Sequence, residues 1–270
     1  MRLGTIVVLR VGLALLAACV VAGCAPGDRP PLPPPPVHAD GGVLWRIVHD
    51  RCLPDQIEHG VPAPCAEVAL QGGGARGYAV LKDRDGVAQY LVMPTSLISG
   101  IEDGRLLAPD ATNYFAAAWR ARHFVEERLG KALPREDMSI AVNSLYGRSQ
   151  DLLHLHVDCL RSDVREALGV AAARTGRGWS RQPVTIAGHS YRITRIDTDD
   201  LDRVNPFRRL ADGLRVQPAD MGGWTLVLTG ATFAGRPGFL LLAARADMAH
   251  GEKASGEVLQ DHACTGRTRS

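Results

Sequence analysis

Two imidazoles one residue apart, His154 and His156, stand in the stretch Leu152-Leu-His-Leu-His-Val-Asp158. Their neighbours are apolar, and the alternation has the period of a half-buried strand. Side chains on a strand alternate faces, so Leu153, Leu155 and Val157 fall on one side and His154, His156 and Asp158 on the other. At about 3.3–3.4 Å of rise per residue the histidines then lie roughly 7 Å apart. Imidazole chemistry offers three uses for such a pair. They could be half-exposed side chains on a solvated sheet face. They could ligate a metal, with His262, His189 or Asp158 completing the set. Or a neutral imidazole could attack phosphorus while its partner and nearby donors hold the phosphoryl oxygens.

The preceding loop favours the third use. Gly147, Arg148, Ser149 and Gln150 place a flexible turn, a cation, a hydroxyl and an amide beside the first histidine, donors better suited to phosphate oxygens than to a metal. Lys82 is a further candidate for neutralising phosphate, although a lysine at a strand end is more often solvated. His262 precedes Cys264, and a Cys159–Cys264 bond would bring it towards His156.

The elements that must position these groups read as follows. Leu44, Ile47 and Val48 recur at helical spacing and open the folded part. Tyr78–Lys82 and Gln89–Met93 read as strands around a turn at Asp83–Gly86. Asn113 to Leu129 reads as a long helix, capped by Asn113 or Thr112 and stopped by Gly130. Ser139–Asn143 and Leu152–Leu160 are the next strands, followed by a short helix from Ser162 or Asp163 through Leu168. Further on, Val184–Ala187, Ser190–Ile196, Thr225–Thr229 and Phe239–Ala244 read as strands, and Val204–Ala211 and Gly256–His262 as helical. Strands and helices mix without the alternation of a parallel sheet, which points to an α+β fold with mainly antiparallel pairing.

The 270 residues carry a formal net charge of +2, and no basic stripe is interleaved with aromatics, so a nucleic-acid partner is not expected. Arg2 and Arg10 precede an apolar run from Val11 to Ala22 that ends in Val21-Ala22-Gly23-Cys24, the form of an export signal over residues 1–23. The context of Cys24 is similar to a bacterial lipobox; an ordinary signal peptide and an uncleaved anchor are the alternatives. All three put the rest of the chain outside the cytoplasm, in the cell envelope. Residues 24–43 hold six prolines in the seven positions from Pro30 to Pro36, a stiff spacer in the polyproline II conformation. Cys52, Cys65, Cys159 and Cys264 then remain, an even count that suggests disulfides with three possible pairings. Cys52–Cys65 would close a proline-bearing loop, and Cys159–Cys264 would pin the C-terminal end to the histidine strand. A zinc site is the rival, without Cys-x2-Cys spacing to support it.

Gly-x-Ser-x-x-x-x-His-x-His resembles the second half of the histidine-triad (HIT) signature. Several further segments, in order, resemble the bacterial CDP-diacylglycerol pyrophosphatase family, which is HIT-like. They are Leu44-Trp-Arg-Ile-Val-His-Asp-Arg-Cys52-Leu-Pro, Ala63-Pro-Cys65, Tyr78-Ala-Val-Leu-Lys-Asp83, Gln150-Asp-Leu-Leu-His-Leu-His-Val-Asp-Cys159, Asp163-Val-Arg and Gln260-Asp-His-Ala-Cys264. The resemblance covers residues 44–264, leaving 265–270 as a tail. It implies a HIT-like α+β domain with a long helix and a β-rich C-terminal portion. It also implies hydrolysis of CDP-diacylglycerol in the membrane to CMP and phosphatidate, with no cofactor or metal. His154 matches the nucleophile that carries the nucleotidyl group, His156 the histidine that contacts phosphate, and Ser149 the hydroxyl near the bridging oxygen. Asn143 matches the asparagine of the preceding strand; Arg148, Gln150 and Lys82 are the remaining candidates for contact with substrate. The first histidine of the triad falls at Leu152, a departure expected to restrict the enzyme to good leaving groups. The alternatives are a hydrolase of soluble nucleotide anhydrides and a non-catalytic envelope lipoprotein that binds nucleotide or metal through the two histidines.

Overall fold

The computed structural model describes residues 31–70 and 76–266. The expected signal, Cys24 and positions 267–270 lie outside the described residues. The described residues from Leu32 onward form one compact unit, so the folded part takes in chain ahead of Leu44. In that stretch the Pro33 carbonyl accepts from the Tyr146 hydroxyl at 2.6 Å.

The described residues form a nine-stranded, wholly antiparallel sheet. In chain order the strands are β1 (Glu67–Ala69), β2 (Tyr78–Lys82), β3 (Tyr90–Pro94), β4 (Met138–Val142), β5 (Leu155–Cys159), β6 (Val184–Ile186), β7 (His189–Ile196), β8 (Trp224–Phe233) and β9 (Arg236–Arg245). Their spatial order is β1-β2-β3-β5-β4-β8-β9-β7-β6. Strands β8 and β9 are longer than expected because Ala234 and Gly235, both at positive φ, make a two-residue turn that lets the ladder run to its end.

Helix α3 (Tyr114–Leu129) begins where Asn113 Oδ1 accepts from the Ala116 amide at 3.1 Å and ends at Gly130, in the left-handed region. It covers one face of the sheet, packing Phe115, Ala118 and Val125 into the cluster that holds Val92, Ile140, Leu153, Leu155 and Val157. The opposite face is covered in two separate places. Helix α1 (Val43–Ile47) passes through a π-helical turn, Val48–Cys52, into α2 (Leu53–His59), and this segment packs Leu44 and Val48 on Leu81, Leu91 and Met93. Helix α4 (Ser162–Ala172) packs Val164 and Leu168 with Val227 and Leu242. Between the two apolar clusters runs the strip of sheet that bears His156 and Asp158. Helix α5 (Pro206–Leu214) packs Phe207 and Leu210 into the larger cluster.

Two expectations change. The segment Leu152–Leu160 becomes a ladder only from Leu155, because the Leu153 amide bonds to the Ile98 carbonyl at 2.7 Å and the chain enters from a loop. Gly256–His262 makes a 3-10 turn (Gly256–Leu259) and then pairs Gln260 with Leu160. A Cβ on Gly256 would lie 2.9 Å from Val227 Cγ2 and 3.0 Å from Ala141 Cβ, so glycine lets this segment lie directly on the sheet. Of the three possible cysteine pairings, the one formed joins Cys52 to Cys65 and Cys159 to Cys264.

Candidate active site

His156 sits mid-strand on β5, flanked by Leu91 of β3 and Ala141 of β4, whereas His154 stands one residue ahead of the strand. The strand-borne placement expected for both therefore holds for His156 alone. Both rings still share the face of Asp158, with centroids 4.9 Å apart in an edge-to-face arrangement. At 6% and 5% exposure they are buried, which rules out the solvated-face use.

The two rings have opposite proton arrangements. His154 Nδ1 is 2.6 Å from the Leu152 carbonyl. A carbonyl only accepts, so Nδ1 carries the proton and Nε2 carries the lone pair. Burial, assisted by Arg148, lowers the His154 pKa below 6.5 although Glu257 and Asp83 oppose it. His156 Nδ1 accepts from the Gln89 amide at 2.7 Å, which puts its proton on Nε2. That Nε2 is buried and has no hydrogen-bond partner among the described residues. Burial, then the nearby His154 and His262, lowers its pKa well below 6.5. The site thus offers a neutral nucleophilic nitrogen beside a buried N–H lacking an acceptor, which a phosphoryl oxygen would satisfy.

Both rings line a cleft of about 680 Å³. Its polar part includes Asn143, Ser149, Glu257 and His262, and its apolar wall includes Val43, Leu44, Ile47, Pro64 and Leu81. Asn143 is buried and fixes the C-terminal segment rather than only reaching outward. Its Nδ2 donates to Glu257 Oε1 at 2.5 Å, and its Oδ1 accepts from the Gly256 amide at 2.8 Å. Ser149 is exposed at the cleft. Lys82 reaches the cleft while its Nζ donates to the carbonyls of Asp83 (2.7 Å) and Gly86 (2.9 Å). Gln150 also lines it, with its amide holding the incoming chain through the Leu44 amide at 3.2 Å and the Asp40 carbonyl at 3.1 Å.

Arg148 corrects the expectation of a phosphate cation. Its buried guanidinium donates to Glu102 Oε2 at 2.7 Å and lies 3.4 Å from Asp151 Oδ1. A Cβ on Gly100 would overlap it at 1.7 Å. It braces the loop from behind and leaves Ser149 and Gln150 to face the cleft. Leu152, at the position of the absent imidazole, is fully buried in the cluster with Leu81, Leu91 and Met93.

Two further features lay beyond what local spacing indicates. Glu257 Oε2 accepts from Gln89 Nε2 at 3.3 Å, so the amide that donates to His156 Nδ1 also holds the C-terminal turn beside the second histidine. Asp158, wholly buried, accepts from His262 Nδ1 at 2.7 Å. The hydrogen bond to Asp158 raises the His262 pKa above 6.5, and burial pushes the Asp158 carboxyl up from 3.8. Among the described residues, the one grouping with metal-ligand geometry is Asp158, Cys159 and Cys264. Its two sulfurs are joined in the disulfide, so it offers no thiolate pair. His189 pairs instead with Glu252.

A model of the CDP-diacylglycerol pyrophosphatase family matches residues 39–268. A protein of Yersinia pestis named CDP-diacylglycerol pyrophosphatase is 41% identical over 226 residues, covering 84% of this chain and 85% of that protein.

Proposed function

This chain belongs to the CDP-diacylglycerol pyrophosphatase family and hydrolyses CDP-diacylglycerol, and from that premise we infer that the reaction passes through a nucleotidyl group carried on His154 Nε2. The observation that carries this reading is the 2.6 Å bond from His154 Nδ1 to the Leu152 carbonyl, because it leaves Nε2 as the nucleophilic nitrogen. His154 Nε2 attacks the phosphorus of the CMP moiety, and phosphatidate leaves. Water then attacks the same phosphorus, the P–N bond breaks, and CMP departs. The buried Nε2–H of His156 and the hydroxyl of Ser149 stabilise charge on the transferring phosphoryl oxygens.

The apolar wall at Val43, Leu44 and Ile47 supports a lipid-bearing substrate over a soluble nucleotide anhydride, whose leaving group would gain nothing from it. The first 24 residues support export and a membrane tether, through lipid on Cys24 or an uncleaved anchor. Among the described residues no helix is long and apolar enough to cross a membrane, so the tether is assigned to that leading segment.

The covalent step is tested by quenching the protein with CDP-diacylglycerol labelled in its CMP moiety. Label should appear on the wild type and vanish in His154→Ala. An unlabelled wild type, or label that persists in the variant, removes the covalent mechanism.

A further inference from the structure

The arrangement at His154 and His156 leaves one requirement of the reaction unassigned. Departure of phosphatidate is assisted when a proton reaches its oxygen, which otherwise leaves as the more highly charged monoester. A proton must also leave the water that resolves the nucleotidyl-histidine. His154 is the nucleophile, and His156 is held neutral with its Nδ1 accepting from Gln89. The Nζ of Lys82 is engaged by two backbone carbonyls.

We propose that His262, oriented by Asp158, is the proton-transferring catalytic residue of this site. The inference rests on the nucleotidyl-histidine reading above. His262 lines the same cleft as His154 and His156, and its side chain is 42% exposed while Asp158 is 0% exposed. The buried carboxylate takes Nδ1–H at 2.7 Å, which leaves Nε2 for exchange with substrate and water. A buried acceptor on one ring nitrogen and access to a cleft on the other is the arrangement that orients an acid–base histidine.

The segment that carries His262 is fixed at several points. Cys264 is bonded to Cys159, and the Asp261 amide donates to the Cys159 carbonyl at 2.9 Å. Gln260 Nε2 donates to the His156 carbonyl at 3.1 Å, and the His262 carbonyl accepts from the Val87 amide at 2.8 Å. The imidazole is therefore held at the cleft by bonds on both sides of it. Its charge surroundings favour the protonated form: Asp158 from β5, Asp83 from the β2–β3 turn and Glu257 from the C-terminal turn, with Asp261 beside it and His156 the opposing neighbour. Burial drives the other two histidines the opposite way, so the acid and the nucleophile are separated by environment.

The proton count closes. Protonated His262 gives its proton to the bridging oxygen as the P–O bond breaks and the bond from His154 Nε2 to phosphorus forms. Neutral His262 then takes a proton from water as the new P–O bond forms. The P–N pair returns to His154 Nε2, and His262 is protonated again. One water is consumed, and CMP and phosphatidate are released.

The test is His262→Gln in the full-length protein, with CDP-diacylglycerol compared against the 2,4-dinitrophenyl ester of CMP, whose leaving group is a weaker base than a phosphate monoester and departs without a proton. General acid–base catalysis contributes about 10²–10⁴-fold, and kcat for CDP-diacylglycerol should fall by that factor with little change in KM. Nucleotidyl transfer from the dinitrophenyl ester should slow by less than tenfold, and labelled CMP should persist on the protein. Added imidazole should restore part of the turnover of His262→Ala. Near-normal turnover of CDP-diacylglycerol by His262→Gln overturns the proposal. Equal slowing of both substrates without accumulated label overturns it as well, since that marks a merely structural residue. Absence of label on the wild type instead removes the underlying covalent reading, which distinguishes the two failures.

Discussion

At the scale of single residues, the surroundings do opposite things to three imidazoles within one cleft. His154 and His156 are pushed below 6.5 mainly by desolvation, whereas His262 is raised by its bond to Asp158. On the nucleotidyl-histidine reading the free enzyme needs His154 neutral, so kcat/KM should decline on the acid side only below about pH 6.5. With His262 acting as an acid, it should decline again on the alkaline side above 6.5. A pH–rate profile checks this, and His262→Gln should remove the alkaline limb alone. Stability follows from the same two depressed values. The unfolded chain binds those protons near 6.5 and the folded chain only at lower pH, so the contribution of these two histidines is full above 6.5 and declines as pH falls through that value, while the raised His262 contributes in the opposite sense. Thermal melts from pH 7.5 to 5 should show the decline, and His156→Gln should shrink it. Leu152 gives a further prediction. An amine leaving group needs more acid help than a phosphate monoester, whose second pKa is about 6, so a phosphoramidate analogue should turn over more slowly than CDP-diacylglycerol. Equal rates would show that the missing third imidazole imposes no restriction.

At the scale of elements, the C-terminal segment completes a site whose centre lies a hundred residues earlier. Cys159–Cys264 closes a separation of 105 residues, and a loop of that size constrains the unfolded chain by about 4–5 kcal/mol on the chain-entropy account. A Cys159→Ser, Cys264→Ser double variant should lose stability of that order in denaturant melts. Its turnover should also fall under conditions where it remains folded, because His262 and Gln260 are held by this segment. Retained turnover in the folded double variant would show that the other bonds suffice. This dependence explains which parts of the site were legible in the sequence. His154, His156 and Asp158 declare themselves through period-two alternation, and Asn113 and Gly130 bracket α3 by local capping chemistry. Glu257 and Gln89 carry no such local signal, since what recruits them is the close seat that Gly256 allows against Ala141 and Val227. Arg148 was misplaced because adjacency in sequence does not reveal that its partner, Glu102, lies 46 residues away. The early end of the β5 ladder was equally hidden, being set by the bond between Leu153 and Ile98.

At the scale of the whole molecule, the approach of the N-terminal chain and the shape of the cleft bear on the same problem of reaching a lipid. The chain between the leading segment and α1 is tied to the catalytic loop: His38 Nδ1 lies 2.9 Å from Asp151 Oδ1, the Asp151 amide bonds to the Gly41 carbonyl at 2.7 Å, and Gln150 holds Asp40 and Leu44. Directly after this contact, Val43, Leu44 and Ile47 form the apolar wall beside the histidines. A lipid diphosphate bound with its phosphorus at His154 has its glycerol and acyl end to accommodate, and this wall is apolar surface continuous with the reacting centre. Placing a charge there should remove about 1–2 kcal/mol of apolar contact, roughly a tenfold effect. Ile47→Asp should therefore raise KM for CDP-diacylglycerol in vesicles by about that factor. Hydrolysis of the 4-nitrophenyl ester of CMP, which has no acyl chains, should be unchanged within twofold. A loss that is equal for both substrates would mean that the wall supports the fold instead of the lipid. No loss for either would place the acyl chains elsewhere.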